Sequence, residues 1–249
     1  MVLNIETTKI HGHVVHNSSS LEGFEEWIDK VKGKTNTTIY RGQRKNYPLL
    51  PNICRNSETD LLLVNERGLL TAFKEKAPRC LQVVPKNDWE WLVVAQHHGL
   101  HTRLIDWSYD PYVALWFALE KSKQDDSRPE VWVMNPLKGD VIENFKNTRP
   151  FSGQRTKVFN SSFGIPRLNA QKGCFVLFKH IENTRNGFVP LEKNKELRKR
   201  VGRIRIQSHS VTRIMKQLNA MGYNRDSLFP DIDRVAKLVQ QEVLNKNKT

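Results

Sequence analysis

The sequence predicts an α+β fold, a single domain in which a small mixed or antiparallel sheet is surrounded by helices. Three observations lead there. Helical apolar spacing and β-branched, aromatic runs both occur, but in the order helix, strand, several helices, scattered strands and two final helices. A doubly wound sheet would need regular alternation of strand and helix, which is missing. The 249 residues are enough for one large core or two small ones. No repeat, low-complexity tract or Gly/Ser linker divides them, which favours one domain.

The elements follow in order. "SSSLEGFEEWIDKVKG" opens on capping residues, sets Leu21, Phe24, Trp27 and Val31 at helical spacing and stops on Gly33, so it is an amphipathic helix. "NTTIYRGQ" is β-branched and aromatic, a short strand expected to deliver Arg41 and Gly42 at its end. The next helix starts with a capping-box pattern at Ser57 and Asp60 and lasts until Pro78, with an interruption expected near Gly68. A helix from Asp88 through "WEWLVVAQHH" ends at Gly99, a residue suited to the left-handed cap. "RLIDW" is extended, and "DPYVALWFALEKS" is a helix capped by Asp110 with Pro111 in its first turn. That helix is apolar all round and therefore central. Strands are expected at "EVWVM", "GCFVLF" and "RIRI", then a helix from Ser210 to Gly222 and a last one in "DIDRVAKLVQQEVL". The final helices are expected to pack on the core as a hairpin rather than to form a helix-turn-helix, because their joint is long.

Composition narrows the setting. Forty Lys and Arg against 26 Asp and Glu give a net charge of +14, which favours polyanionic partners such as nucleic acid or phosphate-rich cofactors. Cys54, Cys80 and Cys174 are isolated and odd in number, so no disulfide framework or zinc ribbon is signalled and a reducing cytoplasm is expected. No signal-like start and no apolar run of about 18 residues occurs, so no membrane partner is expected.

The stretch "QHHGLHTRLIDW" (96–107) invites a metal reading, but adjacent helical residues point about 100° apart, so at most His98 and His101 converge. No cysteine or acid stands at a ligand spacing, and no metal is expected. Arg103 and Asp106 stand between a glycine turn and the buried helix "PYVALWFAL", where charges are expensive unless paired or hydrogen-bonded. Such a pair braces the turn or faces a ligand. Arg41 precedes Gly42, whose missing side chain admits another backbone or a ligand. A guanidinium there is able to grip phosphate in bidentate fashion or to form an internal salt bridge.

Taken together, "IYRGQRKNYPLLPNICR", "WLVVAQHHGLHTRLIDWSYDPYVALWFAL", "PRLNAQKGCFVLF" and "DSLFPDID" resemble the FRG domain, a family named after its (F/Y)-R-G motif. The resemblance divides the chain into an N-terminal segment and helix at 1–38, the domain at 39–242 and a polar tail at 243–249. Its pattern has proline where this chain has His101. A more distant similarity is to ADP-ribosyltransferases of the arginine-serine-glutamate type, carried by "IYRG", "TRLIDWSYDPYVALWFA" and "AQKGCF" in that order.

That similarity implies NAD as co-substrate and an ADP-ribosyltransferase-like fold. Breaking the nicotinamide–ribose bond builds an oxocarbenium-like charge, so a phosphate anchor, a nicotinamide wall and a carboxylate are needed. Arg41, with Gly42 and Gln43, is the implied anchor. Thr102 or Ser108 orients the ribose, Trp107 forms the wall, Arg103 stands beside them, and Gln171 opens the last element. Gly173 occupies the position where the similarity expects glutamate, which leaves Gln171 or Asp106 for the catalytic part. The resemblance supports an enzyme modifying a macromolecule, with nucleic acid favoured by the charge, or a non-catalytic nucleic-acid or nucleotide-binding module.

Overall fold

The computed structural model describes residues 6–10, 13–33, 37–54, 59–122, 128–146, 148–161, 163–180 and 187–230. Among them a nine-stranded mixed sheet is covered by helices, an α+β fold. The strands are β1 (Glu6–Ile10), β2 (His13–Ser18), β3 (Ile39–Gln43), β4 (Leu104–Ser108), β5 (Glu130–Met134), β6 (Val141–Ile142), β7 (Lys157–Phe159), β8 (Gly173–Leu177) and β9 (Val201–Ile206). Their order across the sheet is β1-β2-β9-β5-β3-β4-β8-β7-β6. Neighbours are antiparallel except β2 with β9 and β6 with β7.

Local chemistry sets the helices. In α1 (Leu21–Val31) the Ser20 hydroxyl accepts from the Gly23 N–H, and Leu21, Phe24, Trp27 and Ile28 form the buried stripe. Each such side chain contributes roughly 1.5–3 kcal/mol. Helix α2 (Thr59–Lys76) runs through Gly68 without the expected interruption, and the proposed cap at Ser57 lies outside the described residues. Asn87 caps α3 (Asp88–His97), and Gly99 at φ +89° ends that turn in the left-handed region. Asp110 caps α4 (Pro111–Leu119) by accepting from the Tyr112 and Val113 N–H groups. Short α5 (Pro166–Ala170) precedes β8. Before α6 (Val211–Ala220), Ser210 already has helical backbone angles and its hydroxyl caps nothing. Asn224 caps α7 (Arg225–Leu228), and the helix expected in 231–244 lies outside the described residues.

One face of the sheet carries two apolar clusters side by side. Helices α1, α4 and α6 cover β3, β5 and β9 there through Phe24, Trp116, Val131, Ile204 and Ile214. Helices α2 and α3 cover β4, β7 and β8 through Leu70, Leu92, Leu104 and Phe175. The opposite face is closed by the segments around Leu49, Ile53, Leu191 and Leu197, packed on Trp107, Trp132 and Val176. On this second face Glu130, fully buried, receives hydrogen bonds from both Arg203 and Arg205 of neighbouring β9, and Arg203 stacks over Trp132.

Helix α4 sits directly on β3. A Cβ added at Gly42 would overlap the carbonyl oxygen of Ala114 and the amide nitrogen of Ala118, both backbone atoms of α4. The glycine therefore serves helix-on-strand packing. No helix of the described residues is long and apolar enough to cross a membrane. Gly42→Ala is expected to lower the unfolding free energy by about 3 kcal/mol, because helix backbone has to move to admit the methyl group; chemical denaturation measures it, and an unchanged midpoint would refute this packing.

Candidate functional site

The central strands β3 and β4 are joined differently from their neighbours. Strand β3 pairs with β5 from Ile39 to Gln43, and β4 pairs with β8 from Leu104 to Ser108. Between β3 and β4 the ladder consists of Tyr40 opposite Ser108. Beyond that pair Arg41 bridges the strands, its guanidinium donating to the Asp106 carbonyl. A cavity of about 370 Å³ opens here, between α4 on one side and α3 and α5 on the other. That volume lies in the range of small-molecule sites.

Three guanidinium-bearing residues, Arg41, Arg44 and Arg167, line the cavity against one carboxylate, Asp106. The balance favours an anion. Asp106 is exposed, and its carboxylate accepts from Gln96 Nε2 at 3.4 Å. His97 shares this wall; desolvation, then the charges of His98 and Arg167, push its imidazole below the ordinary histidine range against the pull of Asp106. Near neutrality the ring is therefore uncharged. Tyr40, Tyr47, Phe117 and Phe175 supply aromatic surface, Tyr47 being 48% exposed.

The predicted residues divide into those that reach the cavity and those that do not. Arg41, Gln43, Asp106, Ser108 and Gln171 line it. Arg41 lies within its strand rather than at the end, because β3 continues to Gln43. Gly42 borders the cavity while its α-carbon serves α4. Trp107 also borders it, but the indole is 3% exposed and packs with Ile39, Ile105 and Trp132 on the opposite face. Its ring is held in that apolar cluster rather than presented to the cavity.

Ser108 is a brace. Its hydroxyl donates to the Gln171 carbonyl at 2.7 Å and accepts from the Asp110 N–H at 2.9 Å. Gln171 caps α5, and its Nε2 donates to the Leu228 carbonyl at 3.0 Å, which ties the cavity edge to α7. Lys172 follows at φ +43°, held by Asp110, whose carboxylate also accepts from Tyr223. A Cβ at Gly173 would run into the Leu168 side chain.

Thr102 and Arg103 are not cavity residues. The Thr102 hydroxyl donates to Gln96 Oε1 at 2.5 Å and accepts from the Leu104 N–H. Arg103, 8% exposed, does not brace Asp106 but pairs with buried Glu66 of α2, through Nε at 2.8 Å and Nη2 at 2.5 Å. Its backbone N–H donates to the same carboxylate. Arg44, Tyr47, His97 and Arg167 are cavity residues the sequence reading passed over. Arg167 stands in the quoted block before "LNAQKGCF", and its position one helical turn before Gln171 was the available signal. Among the described residues no group of three or more His, Cys, Asp or Glu gathers in a way that would hold a metal ion.

Glu66→Ala is expected to cost about 3–5 kcal/mol, since it strands the Arg103 charge in the interior. Denaturant titration measures this, and a loss under about 1 kcal/mol would mean the pair is dispensable.

No curated protein and no solved structure matches this chain. Residues 36–127 match the family model of the FRG domain. That segment supplies β3, α3, β4 and α4, whereas Arg167, Leu168, Gln171 and Phe175 complete the cavity from beyond it. The strands that carry Arg41 and Asp106 thus lie within the segment that is similar to the FRG domain.

Proposed function

We propose that this FRG-domain protein binds an anionic nucleotide between β3 and β4, with NAD as the candidate, and transfers ADP-ribose to a macromolecular acceptor. The observation that carries the reading is Arg41: its guanidinium occupies the gap between the two strands at a cavity whose basic residues exceed its single carboxylate. A guanidinium presents its N–H donors in a planar fork whose geometry matches the oxygens of a diphosphate. Asp106 stands on the facing strand, where a carboxylate would stabilise positive charge developing on a ribose.

In the reaction the bond between ribose C1′ and the nicotinamide nitrogen breaks, and nicotinamide leaves with the electron pair. An acceptor oxygen or nitrogen forms the new bond to C1′ and loses its proton. In this reading His97, whose imidazole is held below the ordinary histidine range by desolvation and which lines the same cavity as Asp106, takes that proton. The net charge of +14 favours nucleic acid as acceptor.

A second reading, a nucleotide-binding module without turnover, has its own support. Gln171 spends its amide on the Leu228 carbonyl, and the Leu168 side chain fills the space beside Gly173. Neither position then offers the carboxylate of the similar transferases.

Incubation of the purified chain with NAD, followed by chromatography of free nicotinamide, separates the two. The enzyme reading expects release that falls at least about 100-fold in both Arg41→Ala and Asp106→Asn, with calorimetric affinity for NAD lost in the first and kept in the second. Binding without release, unchanged in Asp106→Asn, would establish the module. Absence of heat with NAD and with ADP-ribose would remove both.

A further inference from the structure

Gln43 is the last residue of β3, two positions after Arg41 and on the same side of the strand. The residue is 5% exposed, and neither Nε2 nor Oε1 finds a hydrogen-bond partner among the described residues. Folded proteins pair the great majority of their buried polar atoms, so a carboxamide with both ends unmet is unusual. A position serving packing alone would be better filled by an apolar side chain of the same length. Gln43 nevertheless lines the cavity that holds Arg41.

We infer that Gln43 is the specificity-determining residue of this cavity, reading a planar ligand edge that carries an N–H donor beside an acceptor. The inference rests on the nucleotide reading above and adds what part of the nucleotide is read. A carboxamide offers one acceptor and one donor side by side, which matches the amidine edge of adenine or the carboxamide of nicotinamide. A guanine bound in the same orientation presents two acceptors on its N7/O6 edge, and a carboxylate presents two acceptors; in that orientation both leave one end of the amide unmet.

The surroundings suit the task. Both Gln43 atoms are already shut away from solvent, so no water has to be stripped from them when a ligand arrives. To meet a ligand the side chain has to rotate toward the cavity, because both amide atoms are buried in the empty protein. Consecutive same-side residues of a strand lie about 7 Å apart, so Arg41 and Gln43 address different parts of one molecule, the phosphates and the flat ring. Exposed Tyr47, in the same lining, offers a face on which that ring stacks.

Two matched pairs of probes test this by calorimetry on the full chain: ADP-ribose against GDP-ribose, and nicotinamide mononucleotide against nicotinic acid mononucleotide. Wild type is expected to favour the donor-bearing member of at least one pair about tenfold or more, and the favoured pair identifies which ring is read. Gln43→Met is expected to shrink that preference below about twofold while raising the melting temperature of the empty protein, because an unmet buried amide is removed. Gln43→Glu, which replaces the donor by an acceptor, is expected to abolish or invert the preference. Equal affinities within both pairs in wild type, or a preference that survives Gln43→Met in a folded protein, would overturn the assignment and leave nucleotide binding intact. A drop in melting temperature in Gln43→Met would assign the amide a structural partner and equally overturn it. No binding of any of the four probes would defeat the nucleotide reading together with this one.

Discussion

Strands β3 and β4 meet at Tyr40 and Ser108, and past that pair the sheet is held by the Arg41 guanidinium on the Asp106 carbonyl. The site depends on this junction. Full pairing along both strands would satisfy the backbone and leave little room between the helices above it. Each strand has a complete partner on its outer side, β5 for β3 and β8 for β4, so the sheet survives the gap. The gap in turn exposes a guanidinium and a carboxylate to the same space. Helix α4, seated on Gly42, and helix α3, carrying Gln96 and His97, form its two walls.

Support for the junction comes from groups behind the cavity and from Ser108 and Gln171 at its edge. Arg103 and Glu66 anchor the start of β4 to α2, and Asp110 gathers the first turn of α4, Lys172 and Tyr223 on one buried carboxylate. Ser108 links that cap to the Gln171 carbonyl. Residues taken from the motif as ligand-binding thus divide into two kinds: those that define the space and those that fix its rim. Thr102 and Arg103 are of the second kind, and Ser108 belongs to both.

Much of the architecture could be read from the chain where physical signals were strong. Helices α1, α3 and α4 carry side-chain caps at Ser20, Asn87 and Asp110, and the apolar strands β5 and β8 stand clear of their surroundings. Strands β1, β2, β6 and β7 were not expected. "HVVHNS" is short and polar in part, and its place beside β9 comes from a parallel pairing distant in sequence. The same limit hid the Arg103 partner, 37 positions upstream in α2. The orientation of Trp107 was a different matter: two-residue alternation along "LIDWS" already sets Asp106 and Trp107 on opposite faces. Applied to "YRGQ", the same rule groups Arg41 with Gln43 and turns Gly42 toward α4.

A crystal structure of the protein grown with millimolar ADP-ribose examines the claim at its root. The expected result is a diphosphate within hydrogen-bond distance of the Arg41 guanidinium, between β3 and β4, with the ribose on the Asp106 side. A ligand bound elsewhere on the molecule, or the Arg41 gap empty at that concentration, would contradict it.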